Sequence, residues 1–535
     1  MIGIKSIFKY IFYLLLSLLI ILLVLLSFKL IKPVEKIKIN RALSGEVNTL
    51  TIDGQEFRDL NKNGQLDIYE DHRNLPRDRA NDLLRKMTLE EKVGQMFHPP
   101  FILKPDLLMF LYEIAIRGNS STESQIIFDH ITHFNLYGNP SPAELAKKIN
   151  SLQKTASRSR LGIPITISSD PIHEVPKGGG VASFSVDGFS KWPSQLGFAA
   201  TSNPKIIREF AEIVRDEYLA VGIRTALHPM SDLATEPRWA RNFGTFGSNA
   251  EMSSKMTIEY MNGFQQNDIS NKSVLTMVKH FPGGGPQENG LDPHLFSGRN
   301  QIYPGGNFEY HLLPFKEAIK NNLKVVMPYY GIPVGQTDED VAMAFNSYIL
   351  KDLLREELNY DGVICSDWGI ITGRHWGVDE LSIEQRYEKS IKAGIDQYGG
   401  EKDTDYLIDL VKDGQITEVR IDESVRRILL NKFELGLFDN PYVNEELVQY
   451  KVNTQDNIEA GLEAQRKSIV LLENNGILPL KKGSKIFVDG LSEEEAREFG
   501  ELVKDPDDAD AVIMYIHTVF NLSLIHISEP TRQWS

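Results

Sequence analysis

Between residues 95 and 440 the chain alternates short apolar runs with amphipathic helical stretches, and this repeat limits the fold more than any other feature. The apolar runs are continuous, which is typical of parallel strands buried on both faces. The clearest runs are IPITIS (163–168), IRTALHP (223–229), VLTMVKHF (274–281), KVVMPYY (324–330) and DGVICSD (361–367). The predicted fold class is α/β, and the length of the repeat favours a TIM-type (β/α) barrel over residues 76–442 rather than an open doubly wound sheet.

Polar or charged side chains stand at the end of nearly every predicted strand. They are Asp170, His228, Asp232, Lys279, His280, Tyr330 and Asp367. In a (β/α) barrel the carboxyl ends of the strands form the rim that carries the active site. A strand end exposed to water explains one such residue, but a succession of them predicts a shared site on one rim.

Composition excludes some classes of function. The chain has 535 residues, of which 41% are hydrophobic and 24% charged, and it contains no low-complexity tract, so several globular units are expected. The net charge of −15 and the lack of a Lys/Arg cluster argue against a nucleic-acid partner. Cys365 is the one cysteine, so no intramolecular disulfide can form.

The first residues have the pattern of a membrane anchor. Ile11–Phe28 is an uncharged apolar stretch that follows two lysines and ends at Lys29, and its length is close to the roughly 20 residues that span a bilayer. Because no small-residue cleavage site follows, residues 1–32 are predicted to be an uncleaved anchor, with the membrane as a partner. The lysines after the stretch would favour a cytoplasmic body. The site described below favours an extracytoplasmic one, which we adopt.

The spacer over residues 33–75 contains DLNKNGQLDIYED, which has the pattern of a calcium-binding loop. Oxygen-bearing side chains fall at ligand positions one, three, five, seven, nine and twelve, and Gly64 provides the sharp turn. The candidate metal residues are Asp59, Asn61, Asn63, Gln65, Asp67 and Glu70. The segment before the loop alternates like a strand, which excludes a paired calcium sensor. A structural Ca²⁺ clip is the preferred interpretation, and a metal-free Asx-rich turn is the alternative.

Two motifs on the predicted rim suggest sugar chemistry. Asp367 is followed directly by Trp368, and a carboxylate beside an indole provides a nucleophile and a flat apolar surface for a sugar ring. The structural alternative is that Asp367 caps the N-terminus of the next helix. Lys279 and His280 precede a glycine turn, where they can donate to ring hydroxyls. A phosphate loop is disfavoured because its lysine would follow the glycines.

A second α/β unit is predicted after the barrel. Residues 443–465 form a linker, and 466–520 contain the strand-like runs KIFVDG and ADAVIMYIH of an α/β sandwich domain that is cut short. The last residues, 521–535, have no pattern and are interpreted as foreign sequence.

Taken together, these motifs make the chain resemble family 3 of the glycoside hydrolases, the β-glucosidase-like group. The resemblance covers roughly residues 55–518. It rests on MTLEEKVGQM, RLGIPITISSDPIHEV, EPRWARNFGTFG, KHFPGGGPQENGLDPH, YDGVICSDW and RKSIVLLENNGILPL. It implies a TIM-type barrel followed by an α/β sandwich domain, a retaining double displacement without a cofactor, and a carbohydrate substrate.

The resemblance also assigns residues to roles. It implies that Asp367 is the nucleophile. It implies that the substrate is bound by Asp170, Arg241, Lys279, His280, Tyr330 and Trp368. Glu174 replaces a common glycine, and Gly284 stands where the hexosaminidase branch has a histidine, which speaks against that branch.

The glutamate that acts as acid/base in the glucosidase branch is expected beyond the end of this chain, so weak activity is predicted. The predicted function is release of a terminal β-linked sugar, most simply glucose. The alternative is a non-catalytic, calcium-dependent carbohydrate-binding or scaffold protein.

Overall fold

The structure is a computed structural model that describes Tyr13 and residues 34–103, 120–174 and 186–515. A helix over residues 34–42 leads into an antiparallel hairpin of β1 (Asn48–Ile52) and β2 (Gln55–Asp59). Asp53 and Gly54 connect the two strands with φ values of 54° and 76°. Two consecutive residues with positive φ form the turn whose twist matches a tight hairpin, and Asp-Gly is a preferred pair for it.

The strands that follow are short. In chain order they are β3 (Phe97–His98), β4 (Pro100–Ile102), β5 (His133–Tyr137), β6 (Thr166–Ser169), β7 (Ile223–Ala226), β8 (Leu275–Phe281), β9 (Asn300–Gln301), β10 (Val325–Pro328), β11 (Ile332–Pro333), β12 (Val363–Ile364) and β13 (Tyr398–Gly399). Strands β9 and β11 pair in parallel with each other, apart from the ring.

The other nine strands close into a ring. A parallel seven-stranded sheet has the order β4-β5-β6-β7-β8-β10-β12. Strand β13 pairs in parallel with β3, which precedes β4 directly, and a bridge between Cys365 and Gln397 connects the ends of β12 and β13. Because every pairing is parallel, all carboxyl ends lie on one rim, as in a (β/α) barrel.

Helices form the outer layer of the ring and continue beyond it. They are α1 (Pro76–Lys86), α2 (Leu89–Gln95), α3 (Thr122–Phe128), α4 (Pro142–Ser157), α5 (Gln195–Ala200), α6 (Pro204–Val221), α7 (Ala250–Gln265), α8 (Phe308–Lys320), α9 (Ile383–Ala393), α10 (Asp405–Lys412), α11 (Glu418–Glu434), α12 (Val448–Lys451) and α13 (Gln455–Lys467). The segment Tyr348–Glu357 is π-helical.

Helix α6 shows how the sequence sets these elements. The Asn203 side chain caps its start by accepting from the Lys205 amide, and Gly222 ends it with φ 92°. The left-handed conformation at a helix C-terminus favours glycine because glycine has no Cβ. The apolar face of the helix is buried against the barrel. Glu217 and Tyr218 are buried on the same face, where the Tyr218 hydroxyl contacts the Asp170 carbonyl.

The predicted elements agree with the observed ones at the five quoted strands. The stretch RDRANDLLRKMTLEEKVGQM (77–96) has apolar residues at helical spacing, which predicts one helix. It forms two helices instead, because Thr88 and Glu91 form a capping box that starts the second. Strands β3, β4, β5 and β13 of the ring were absent from the quoted set. Strand β5 carries His133 and Asn135, which are polar yet buried inside the ring, so its sequence is not a continuous apolar run.

A separate parallel sheet lies near the end of the described chain. Strands β14 (Lys485–Asp489), β15 (Glu501–Leu502) and β16 (Ala511–Met514) pair in the order β15-β14-β16, and a short helix α14 (Glu493–Ala496) lies between β14 and β15. Strands β14 and β16 fall in the predicted runs KIFVDG and ADAVIMYIH. The domain boundaries at 442, 465 and 520 stay predictions, and the tail 521–535 lies outside the described residues.

The predicted fold class is wrong in including a membrane anchor. No helix in the described ranges has both the length and the apolar character needed to cross a bilayer. The described helices instead alternate buried apolar positions with charged ones, as helices packed on a sheet do. The stretch assigned to the anchor, residues 1–32, lies outside the described residues except for Tyr13.

Candidate active site

The sequence-predicted site residues all lie on the carboxyl rim of the barrel. Asp170 follows β6, and Arg241 lies in the loop after β7. Lys279 and His280 are near the end of β8, while Tyr330 follows β10. Asp367 and Trp368 come after β12. Hydrogen bonds, an ion pair and ring contacts connect these residues into one cluster.

Asp170 and Lys279 form a buried ion pair at one side of the cluster. The Lys279 ammonium donates to Asp170 Oδ1 at 2.9 Å, and Asn135 Nδ2 donates to the other carboxylate oxygen at 3.2 Å. The exposed fractions of Asp170 and Lys279 are only 7% and 5%. Charges this deep are tolerated when they are paired and hydrogen-bonded. The pair therefore offers a fixed acceptor and a fixed donor to a hydroxyl-rich ligand.

His280 is oriented by Asp232, a residue outside the predicted site set. Its Nδ1 donates to Asp232 Oδ2 at 2.7 Å, and its Nε2 lies 3.7 Å from Asp367 Oδ2. Burial lowers the pKa of His280. Burial alone would raise the pKa of Asp232, but His280 and the amide of Gly284 lower it. The imidazole thus keeps one nitrogen facing the Asp367 carboxylate.

Gly284 is required by this contact. Its amide donates to Asp232 Oδ1, and a Cβ at this position would lie 2.7 Å from the same oxygen and 2.8 Å from the Tyr329 ring. The glycine turn after β8 therefore allows a close backbone approach to Asp232, and a histidine would not fit there.

Arg241 is held by an aromatic and a carboxylate. Its Nη1 donates to Tyr329 Oη at 3.0 Å, and Tyr329 Oη donates in turn to Asp292 Oδ2 at 3.3 Å. Asp292 also accepts from Trp239 Nε1 at 2.8 Å and bonds His294 Nδ1 at 2.5 Å. Burial alone would lower the pKa of Arg241, but Tyr329 and Asp292 raise it, so the guanidinium stays charged.

The Asp367 carboxylate has one fixed and one open oxygen. Oδ1 accepts from the Trp368 amide at 2.7 Å, whereas the buried Oδ2 has no hydrogen-bond partner within the described residues. Tyr330 Oη donates to the Trp368 carbonyl at 2.9 Å, as does Arg374 Nη1 at 3.0 Å. These bonds fix the turn, and the open oxygen lies 3.7 Å from His280 Nε2.

Trp368 forms a wall of the same site. Its ring packs with Ile102 and Tyr137 and lies 5.3 Å from the His98 ring. A partly buried indole beside a carboxylate is suited to stacking on the apolar face of a sugar. The predicted pairing of a carboxylate with an indole surface is therefore present in the geometry.

Glu174 is a further acidic group on this rim that the prediction noted only as a departure from the family. Burial raises its pKa to about 8, while Lys279 and Arg241 act in the opposite direction. The predicted substrate-binding set also left out Asn135, Asp292, His294 and Arg374, and Asp232 was named only as a polar residue at a strand end. For Asp292 and His294 the signal was present, since both lie within the quoted motif GLDPH. Asn135 lies in a strand that the apolar pattern did not reveal.

The calcium-like loop has a different environment. Asp59 accepts from the amides of Asn63 and Gly64, and Glu70 accepts from those of Leu60, Asn61 and Asp67. Asp67 Oδ1 accepts from Lys86 at 2.6 Å, and its Oδ2 accepts from the side-chain amides of Asn61 and Asn63 at 2.6 and 2.8 Å. The Gln65 amide donates to Asn63 Oδ1.

The structural Ca²⁺ assigned to this loop stays a prediction. A hard cation needs six to eight converging oxygens, whereas Lys86 and two amide nitrogens already surround Asp67. Among the described residues no group of three or more His, Cys, Asp or Glu side chains is placed to hold a metal. The Lys86 ammonium instead supplies the positive charge beside Asp67.

Comparison with known proteins gives a family match over most of the barrel. Residues 88–430 match the family described as Glycosyl hydrolase family 3 N terminal domain. β-Glucosidase C of Emericella nidulans is 45% identical over 474 residues, which is 85% of this chain and 75% of that protein. A periplasmic β-glucosidase/β-xylosidase of Dickeya chrysanthemi is 39% identical over 502 residues, covering 88% of this chain and 76% of that protein.

Solved structures share the fold at lower sequence identity. A β-glucosidase from Listeria innocua in complex with glucose superposes with a TM-score of 0.66 at 23% identity, covering 83% of this chain and 61% of that one. A β-glucoside phosphorylase superposes with a TM-score of 0.68 at 20% identity, covering 82% of both chains. These similarities support the architecture alone.

Proposed function

The chain belongs to glycosyl hydrolase family 3 and is a glycosidase, and we propose that it removes a terminal β-linked glucose by a retaining mechanism with Asp367 as the nucleophile. Asp170, Arg241, Lys279, His280, Tyr330 and Trp368 bind the substrate in this proposal. The chemistry uses side chains of the protein and needs no cofactor.

In the first step Asp367 Oδ2 attacks the anomeric carbon while the bond from that carbon to the leaving oxygen breaks, and the leaving oxygen takes a proton from an acid. In the second step water attacks the same carbon, releases the Asp367 carboxylate and gives up its proton. The positive charge that develops on the sugar ring is stabilised by the nearby carboxylate.

One observation carries this assignment above the others. Asp367 Oδ2 is buried, has no hydrogen-bond partner among the described residues and faces His280 Nε2 at 3.7 Å. A buried carboxylate oxygen without a partner is costly. Such an atom indicates a ligand-facing role rather than the N-capping role that the sequence left open.

A mechanism-based label tests the assignment. In an activated 2-deoxy-2-fluoro-β-glucoside the fluorine slows both steps, whereas the good leaving group speeds the first, so a covalent glycosyl-enzyme accumulates. We expect mass spectrometry to find one added sugar on the peptide that contains Asp367. In the Asp367→Asn variant the label should be absent. A label on another carboxylate would overturn the assignment.

The descriptions of the two named relatives support a β-glucoside or β-xyloside as substrate, since one is described as a β-glucosidase and the other as a β-glucosidase/β-xylosidase. The Dickeya relative is described as periplasmic, which supports placing this chain outside the cytoplasm. The non-catalytic alternative has no support among these relatives.

The calcium-like loop has a fastening role in our proposal, in which Lys86 takes the place of a metal. The Lys86–Asp67 contact joins α1 to the loop. The Lys62 ammonium donates to the carbonyls of Ser157 and Ser159 at 2.7 and 2.6 Å, at the C-terminal end of α4. These contacts support a clamp that holds the N-terminal hairpin against the barrel.

A further inference from the structure

Glu217 is a fully buried carboxylate that the proposed mechanism does not use. It lies near the end of α6, and its exposed fraction is 0%. Burying an ionised carboxylate is costly unless both oxygens are well satisfied. The partners of Glu217 therefore indicate what its position requires.

One oxygen of Glu217 holds the loop that carries Asp170. Glu217 Oε2 accepts from His173 Nε2 at 2.7 Å and from the Ser190 amide at 3.3 Å. His173 is only three residues after Asp170 in the chain. The next residue of α6, Tyr218, donates from its hydroxyl to the Asp170 carbonyl at 3.2 Å. The last turns of α6 thus hold both ends of the segment 170–173.

The other oxygen holds a segment far along the chain. Glu217 Oε1 accepts from the Asn453 amide and from Asn457 Nδ2, both at 2.8 Å. Asn453 has φ 54°, a conformation that asparagine tolerates better than most residues, so its backbone is shaped to reach this carboxylate. Residues 453–457 lead into α13, which packs on the Lys191 carbonyl through Gly461 and Gln465.

We propose that Glu217 is a positioning residue that couples the packing of Asn453–Asn457 against α6 to the binding of the terminal sugar by Asp170. The carboxylate is shared between the two segments, so moving either one changes the hydrogen bonds available to the other. The inference rests on the proposed function only in taking Asp170 as a sugar ligand. The coupling itself is a property of the fold.

Two variants of the far segment test the coupling without touching the active site. Asn457→Leu removes one donor to Glu217 Oε1 at a partly buried position, and Asn457→Asp places a like charge there. Gln455→Ala is the matched control, because Gln455 is exposed on the same helix and its side chain donates to Glu459. Thermal unfolding establishes that each variant is folded.

Kinetics with an aryl β-glucoside and hydrogen–deuterium exchange of the peptide over residues 166–174 are measured for each protein. We expect both Asn457 variants to raise KM about 2- to 30-fold with kcat nearly unchanged, the range of couplings carried through packed networks. Exchange in this peptide should become faster in both variants and stay the same in the control. Glu217→Gln should give the same pattern.

Unchanged exchange in the Asn457 variants overturns the coupling whatever the kinetics. Faster exchange with unchanged KM also overturns it, because the grip on the sugar would then be independent of the loop. If the wild-type protein fails to hydrolyse β-glucosides, the proposed function fails, while the exchange comparison still decides whether the two segments are joined.

Discussion

At the scale of single residues, the site is built from charged groups that are buried but paired, with one exception. Asp170, Asp232 and Asp292 each accept two or more hydrogen bonds from groups of the protein. Asp367 alone of these four keeps a buried oxygen without a partner in the described chain. Paired carboxylates hold geometry, whereas the open one is available to a reacting carbon. The roles assigned to them remain predictions.

The ion pair of Lys279 and Asp170 gives a test of sugar binding. Lys279→Met keeps the length of the side chain but leaves Asp170 buried without its charged partner. Hydrogen bonds to charged groups contribute about 1.5–3 kcal/mol, so kcat/KM for an aryl β-glucoside should fall roughly 10- to 150-fold. Lys272→Met is the control, since Lys272 is exposed just before β8, and its kcat/KM should equal that of the wild type. Equal kinetics for the two variants would contradict a binding role for Lys279.

Removal of the proposed nucleophile gives a larger effect. Asp367→Asn preserves the shape of the side chain and abolishes its charge. Losing the nucleophile or its base in a covalent mechanism costs on the order of 10⁴- to 10⁶-fold in kcat. The measurement is the release of an aryl alcohol from a β-glucoside. Residual activity within tenfold of the wild type would exclude Asp367 as the nucleophile.

At the scale of elements, the turns after the strands are fixed by carboxylates from neighbouring segments. Glu401, which follows β13, is buried and accepts from the amides of Ile371 and Thr372 at 3.0 and 3.1 Å. It thereby holds the turn that begins with Asp367 and Trp368. Burial raises the pKa of Glu401 to about 7, and Asp403 adds to the shift.

This pKa predicts a pH dependence of stability. Because the pKa of Glu401 is raised above its ordinary value near 4.5, its protonated form is favoured by folding. The stabilisation is complete below about pH 4.5 and is lost as the pH rises through about 7. Glu401→Gln has no carboxyl group to ionise, so it should not lose this stabilisation. The Tm of the variant minus that of the wild type should therefore increase from pH 5 to pH 8. Exposed Glu380→Gln should follow the wild type at both pH values.

The calcium-like loop supplies a second test at this scale. If Lys86 closes the loop, adding EDTA or Ca²⁺ should leave the Tm unchanged, whereas Lys86→Met should lower it by a few degrees, as expected for the loss of about 1 kcal/mol. Arg77→Met is the control, because Arg77 is exposed on the same helix. A fall in Tm on chelation that Ca²⁺ reverses would restore the metal interpretation.

At the scale of the whole molecule, the described chain combines a well-buried barrel with an exposed C-terminal unit. The core of the barrel includes side chains from every strand of the ring. In contrast, Ile469 and Leu472 are 78% and 93% exposed, and Val512 and Met514 on β16 are about half exposed. Apolar surface of this kind promotes association with other molecules.

The exposed apolar segment predicts self-association. The double variant Ile469→Lys, Leu472→Lys should reduce the concentration-dependent increase in light scattering, because it replaces the two most exposed large apolar side chains of this segment with charges. The Tm of the barrel should stay the same. Gln455→Ala, which changes no apolar surface, should scatter as the wild type does. Equal scattering by all three proteins would show that this segment is not the cause.

The sequence by itself determined the elements whose signal is local. The apolar runs at residues 274–281 and 324–330 depend on residues adjacent in the chain, and each predicted strand is present. The caps of α6 and the Asp-Gly turn between β1 and β2 are likewise set by neighbouring residues. The gathering of Asp170, Lys279, His280 and Asp367 on one rim also followed from the parallel pattern, because parallel strands end on the same side.

Only the tertiary structure decided what depends on residues distant in the chain. Strand β5 is polar in sequence but buried by the ring, and Asp232 becomes the partner of His280 only when β7 and β8 pair. The loop of residues 59–70 has calcium-type spacing, yet Lys86 reaches Asp67 from the next helix. Glu217 bonds both His173 and Asn457, and Asn457 lies 240 positions after Glu217 in the chain. Local patterns encode conformation, whereas the partner of a buried charge is set by which surfaces the fold brings together.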